Sequence, residues 1–397
     1  MQNLEISFEN GFLGDSQLKV IVWLSRCTSL LSLAGSSLII YIILYDLRRK
    51  LSRANNRLIL AMSTCDILNS SALIFSTAPI PRDTGIYGAI GNQATCTTQG
   101  FFINFGLSVP MYSASLSLFY LFSIRYNITN EDLLSRKYDM MAHFVNLFIP
   151  LALSIISAAF KNFNTKGLFC WLEASPYGCD DGRIDAECTR GKYSSYFETI
   201  SLAVVLGYCF ATTCISMGLI YHSVLRRQKL LQNREGVPGD RIILSRIVLE
   251  KKETAKQAAL FVGSFLITFL FALINVFVPL RARTVKYVFG ILQGAFLPLQ
   301  GFWNALAYLR PIINAIRREN SEKSCFWVIE QVLCPIRRPS SLQMRNQAIL
   351  RNQSHLQYRR SIDVDVVEIH SSNDYSTITH DQPGFTEDSV ERKEVDK

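Results

Sequence analysis

The chain has 397 residues, 49% of them apolar and 18% charged, and a formal net charge of +9. The charge lies between and after long apolar runs, which excludes an ordinary soluble domain, because core helices of water-soluble proteins keep a charged outer face. The basic excess calls for no nucleic acid, since each Lys or Arg beside a membrane span is attracted to anionic headgroups by about 1 kcal/mol.

A hydrocarbon core takes roughly 20 apolar helical residues. Seven windows have that character: Cys27 to Tyr45, Leu58 to Ala78, Phe101 to Ile124, Met140 to Phe160, Thr199 to Leu225, Ala258 to Leu280 and Tyr287 to Leu309. Only Asp66 and the titratable His143 and His222 interrupt them. The predicted fold is all-α, a seven-transmembrane helix bundle over residues 18–310. It follows a short extracellular N-terminus (1–17) and precedes a juxtamembrane amphipathic segment (311–338) and a disordered cytosolic tail (339–397). The first 17 residues carry neither a basic leader nor an apolar core, so the first span is expected to act as its own insertion signal. Loop charge sets the orientation. With the N-terminus outside, the cytosolic loops hold 17 Lys and Arg against 11 on the other face, which agrees with the positive-inside rule.

In chain order, Asp66 in LILAMSTCDILNSS comes first, the only carboxylate inside a window. An intramembrane acid must be paired, protonated or hydrated, so its default reading is functional, with a structural hydrogen bond as the alternative. Asn69, Ser36, Ser37 and Asn304 are its expected partners. Cys96, Cys170, Cys179 and Cys188 all fall on the predicted outer face, and an even number there reads as two disulfides. Three pairings are open. The favoured one joins Cys96 to Cys170, at the top of the third helix, and Cys179 to Cys188 in a local loop. Arg125 ends the third span in SIRYN, either as a charged contact exposed by inward opening or as an arginine snorkelling to headgroups. The loop 161–198 is long, aromatic and acidic, a lid in which Trp171 and Glu173 are ligand-entrance candidates. Arg226 to Lys256 is strongly basic around GVPGD, and the flanks have the Leu and Ile spacing of cytosolic extensions of the fifth and sixth helices.

Arg281, Arg283 and Lys286 surround the third outer loop, where they would attract an anionic ligand or form a solvated loop. In the seventh span Pro298 removes a backbone bond, Gly301 permits close approach, and Gln300 and Asn304 present two amides on one face. A kinked, amide-bearing helix can hold two packings of similar energy. Arg310-Pro311 is expected to stop or kink that helix. The segment after it has apolar residues among basic ones, the pattern of a membrane-surface helix, with Cys325 and Cys334 either palmitoylated or inert. Beyond Pro339 the hydroxyls are expected phosphorylation sites for tail-binding regulators.

The cysteine before the third helix, Cys170-Trp171, Asp66 and above all QGFWNALAYLRP at 300–311 resemble the G-protein-coupled receptors of the slime-mould cyclic AMP receptor type and the related secretin-like class. The resemblance covers roughly residues 20–320. It implies an extracellular ligand, helix rearrangement and a heterotrimeric G protein as partner, with Arg125, Asn304 and Tyr308 as switch residues beside Asp66 and Gln300. Two features depart from it: no acid precedes Arg125, and the N-terminus is too short for a hormone-binding domain. A polytopic transporter or channel is the alternative, and it would call for internal repeats and more midplane charge. No mid-helix lysine suits a retinal Schiff base. No metal cluster or nucleophile triad appears, so no enzyme, metal or cofactor is expected.

Overall fold

The computed structural model describes residues 15–45, 50–126, 133–180, 184–233, 238–277, 283–320 and 322–333. In chain order they form α1 (Asp15–Tyr45), α2 (Ala54–Ile74), α3 (Gln93–Phe105), α4 (Ser108–Arg125) and α5 (Leu133–Ala159). A hairpin of β1 (Phe163–Lys166) and β2 (Phe169–Leu172) follows, then α6 (Ser194–Thr199), a π-helical segment (Ile200–Leu206), α7 (Gly207–Asn233) and α8 (Pro238–Phe277). Last come α9 (Arg283–Phe296), α10 (Gln300–Glu319) and α11 (Cys325–Leu333), the last of these in a second compact unit that begins at Ser324.

Among the described residues, six helical stretches are long and apolar enough to cross a membrane: Ser16–Tyr45, Ala54–Ile74, Gln93–Arg125, Arg136–Ala159, Ser194–Lys229 and Lys251–Phe271. The third of these is α3 and α4, joined by a tight turn at Gly106 and Leu107. The seventh window departs from a single apolar helix. A 3-10 turn at Leu297–Leu299, containing Pro298, separates α9 from α10, because proline has no N–H to give the helical ladder. Past that turn, Gln300, Asn304, Arg310, Arg317 and Arg318 dilute the apolar character of α10.

Neighbour packing closes a ring in the order α1, α2, α4, α7, α8, α10 and back to α1, with α5 against α3 and α4. The ring is polar inside and apolar outside. Ser32, Ser36, Asp66, Asn104, Ser154 and Asn304 are buried, whereas Phe144, Val204 and Ile215 are each more than 60% exposed. A perimeter of that kind is matched to lipid rather than to water, and the chain is a membrane protein on this evidence.

Two predicted helix ends behave differently from each other. The basic flanks of the GVPGD segment are helical, since α7 runs to Asn233 and α8 starts at Pro238. At 1.5 Å per residue α8 is about 60 Å long, twice the thickness of a hydrocarbon core. Pro311, by contrast, does not stop its helix: α10 continues through it to Glu319. The proline is exposed; it gives up the bond to the Ala307 carbonyl and crowds that carbonyl, while the rest of the ladder carries on. The segments at 1–14 and 334–397 lie outside the described residues, and with them most of the predicted N-terminus and the whole predicted tail.

Candidate functional site

The hairpin end is built by crosslinks. Gly167, at φ 67°, opens the two-residue turn between β1 and β2, a conformation that suits a residue without a Cβ. Cys170 on β2 is bonded to Cys96 on α3, with their Cα atoms 5.3 Å apart. The Cys170 N–H donates to Gln99 Oε1 at 2.8 Å, and Gln99 Nε2 donates to the carbonyls of Ala72, in the last turn of α2, and Ser76, just past it. Cys179 and Cys188 form the second disulfide, as expected. Asp180 then accepts from Ser194 Oγ at 2.7 Å, Ser195 N at 3.0 Å and Ser195 Oγ at 2.5 Å, which fastens the loop to the start of α6. Partial burial pushes the Asp180 carboxyl up, but these hydrogen bonds outweigh it and hold the group below its ordinary range.

Beneath the hairpin, Trp171 projects into the ring. Its indole N–H donates to Asn104 Oδ1 at 3.2 Å, and Asn104 Nδ2 donates to Ser154 Oγ on α5. The same ring packs against the apolar cluster of Leu107, Met111, Leu206, Cys209 and Phe265. Lys166 Nζ stands 5.4 Å above it, 2.6 Å from Glu198 and 3.5 Å from Glu173. Burial pushes the Glu173 carboxyl up, with Lys166 opposing. Trp171 and Glu173 are therefore brought together around Lys166. Arg281 lies outside the described residues; Arg283 and Lys286 fall in the first turn of α9, and their side chains lie outside the described set.

At mid-depth Asp66 joins three helices. Its Oδ2 accepts from Ser36 Oγ at 2.7 Å, Ser32 Oγ at 3.1 Å and Ser70 Oγ at 3.4 Å, and Ser32 Oγ accepts from the Gly301 N–H at 2.8 Å. A Cβ at Gly301 would overlap Asp66 Oδ2 and Ser36 Oγ, and one at Gly35 would sit 2.8 Å from the Gly301 carbonyl. Gly301 thus brings α10 against α1 and α2, the close approach read from the sequence. Of the expected partners only Ser36 is one. Ser37 is exposed, Asn69 lies against Gly106, and Asn304 donates to Met62 Sδ at 3.8 Å. Ser32 and Ser70, each four residues from a serine or acid on the same face, replace them. Gln300 Nε2 reaches Ser113 Oγ at 3.4 Å, so the two amides do point inward from one face.

The opposite end is held by side chains reaching helix ends. Arg227 on α7 donates to the Ile124 carbonyl at 3.0 Å and Lys251 on α8 to the Ser123 carbonyl at 2.6 Å. The last carbonyls of α4 have no partner within the helix, and cations near a helix C-terminus are favoured. Arg125 itself is exposed, its guanidinium 5.8 Å from the Tyr126 ring centroid. Tyr308 is buried and accepts from Lys50 Nζ at 3.1 Å. On the flank, Arg57 on α2 pairs with Asp139 on α5 at 2.8 Å, while Tyr112 and His143 are 2.9 Å apart. Arg227, Lys251, Arg57 and Asp139 were not singled out by the sequence reading. The helical spacing read in the two flanks of GVPGD covers Arg227 and Lys251; it says nothing of Arg57 or Asp139.

Compared with protein-family models and with curated proteins, the chain matches none.

Proposed function

We propose that the protein is a G-protein-coupled receptor of the plasma membrane, a seven-span bundle in which α9 and α10 form the seventh crossing. Its N-terminus and hairpin end face outward, and the Arg125 end and tail face the cytosol. The observation that carries this reading is the attachment of α4 to the long basic extensions of α7 and α8 by two side chains, Arg227 and Lys251, on the Ile124 and Ser123 carbonyls of its last turn. Hydrogen bonds of that kind are worth about 1.5–3 kcal/mol each when the donor is charged. Their release would move α8 outward and uncover a surface for a heterotrimeric G protein, with exposed Arg125 at its centre. An extracellular ligand of unidentified class would act from the Trp171 and Glu173 mouth. Asp66, Gln300, Asn304 and Tyr308 would carry the motion between ends. Cys325 and Cys334 would take lipid, and tail hydroxyls would recruit regulators.

A transporter or channel for a small solute is the second reading. The proline break between α9 and α10 beside a buried acid favours it, because discontinuous helices line many transport sites. The full chain reconstituted in liposomes separates the two. Stimulated nucleotide exchange on one member of a G-protein panel, lessened by Arg125→Ala, is expected. Solute flux with no exchange activity would replace the receptor by a transporter.

A further inference from the structure

We propose that the cleft between α8 and α10 is a site for the multiply phosphorylated headgroup of a phosphoinositide. The cleft is an open one of about 410 Å³, lined by Glu253, Lys256, Arg310, Asn314, Arg317 and Arg318. Four cations face one carboxylate, and that carboxylate is already engaged by Lys256 at 2.8 Å. The lining therefore keeps an excess of cations over acids, three of those cations guanidiniums. Guanidinium forks match phosphate oxygens two at a time, and the Asn314 amide suits a ring hydroxyl between phosphates.

What the helices carry next to the cleft selects a lipid over a soluble anion. Leu260 and Ile267 follow Lys256 along one face of α8, at steps of four and eleven residues, and both are exposed. Leu306 precedes Arg310 by four residues on α10 and is 47% exposed. Residues at those spacings share a helix face. Exposed apolar residues on the faces of both helices therefore lie next in line to the cationic cleft, which is the division of a lipid into acyl chains and headgroup. Basic pockets between spanning helices on the cytosolic side bind such headgroups. The assignment rests on the reading that the Arg125 end is cytosolic, the leaflet that holds these lipids.

The test uses the full chain in phosphatidylcholine nanodiscs, which leave both faces accessible. They contain either phosphatidylinositol 4,5-bisphosphate or phosphatidylserine at equal total charge, and bound lipid is read by titration of a fluorescent analogue and by native mass spectrometry. The phosphoinositide should bind at least about tenfold tighter than phosphatidylserine, and Arg317→Ala or Arg318→Ala should each weaken it about fivefold. Glu253→Gln should tighten it, a gain that a misfolded variant cannot imitate. Equal retention of the two lipids would overturn the site. Soluble inositol 1,4,5-trisphosphate binding as tightly as the lipid would reassign the cleft to a free phosphate and overturn the membrane source, as would displacement of the lipid by a phosphorylated tail peptide. Lipid binding without any nucleotide exchange would leave the cleft standing and remove the receptor; exchange without lipid binding would do the reverse.

Discussion

The two ends of the helix ring are held by different kinds of bond. At the hairpin end two disulfides, a β-hairpin and a triply hydrogen-bonded Asp180 fix the chain covalently and at short range. At the Arg125 end α4 is joined to α7 and α8 by Arg227 and Lys251 alone among the hydrogen bonds described above. Covalent closure restricts every state of the chain, whereas a lysine on a carbonyl can let go and rebind. The difference teaches which end is free to move: the crosslinked hairpin end is the stiffer, and on the proposed orientation the Arg125 end is the inner one that releases.

The largest effect should come from the covalent end. Cys96 and Cys170 close a loop across 74 positions, and chain entropy assigns such a closure about 4 kcal/mol. Cys96→Ser with Cys170→Ser should lower the thermal midpoint steeply in nanodiscs. A variant pair as stable as the parent would show that Gln99 and Trp171 hold the hairpin unaided.

Next in size is the joint between the two ends. Gly301→Ala places a methyl group where Asp66 Oδ2 and Ser36 Oγ stand, and overpacking costs about 1–3 kcal/mol. Denaturation monitored by tryptophan fluorescence should show that loss. Restoration by a second substitution, Ser36→Ala, which clears part of the space, should be partial, since Asp66 remains.

The inner tethers come third. Lys251→Ala removes the donor to the Ser123 carbonyl and should raise ligand-free nucleotide exchange by about tenfold, the equivalent of one charged hydrogen bond. Unchanged or lowered basal exchange would mean that the tether does not restrain α8.

The smallest effect is a pH dependence at the lid. Asp180 is held below its ordinary value of 3.8, so its contribution is fully present above that value and is lost as pH falls through the lowered one. Glu173 works in the opposite sense: its carboxyl is raised, so its contribution is present below the ordinary 4.5 and declines as pH rises through the raised value. Exchange protection of the Ser195 amide, corrected for intrinsic rate, should therefore fall below about pH 4, and Asp180→Asn should abolish that dependence.

Much of this was legible in the residues. Span length and charge segregation gave seven windows, and six of them are helices long and apolar enough to cross a membrane, because lipid demands a long uninterrupted apolar run and little else does. Pro298, Gly301 and the inward amides at 300 and 304 were readable for the same reason: each is a local backbone or spacing property. Cysteine position found both disulfides once the outer face was assigned. The failures are of two kinds. Ser32 was missed around Asp66, and Arg57 with Asp139 was missed altogether, since partners 34 and 82 residues apart are set by how helices rotate against one another; Ser70, four residues from Asp66 on the same helix face, was within reach of the helical spacing and was overlooked. Pro311 was expected to stop or kink the seventh helix and does not stop it, because a proline removes one bond of the ladder and the neighbouring bonds can carry the helix on.

The central claim is that the inner end opens while the outer end stays closed. Spin labels on Tyr126→Cys at the end of α4 and Leu249→Cys on α8, both at exposed positions, in a background with the exposed Cys27 and Cys214 replaced by serine, report the distance across the tethers. Binding of a coupled heterotrimeric G protein should lengthen it by about 5 Å, one helical turn. An inner distance that is the same with and without the bound G protein would contradict the account.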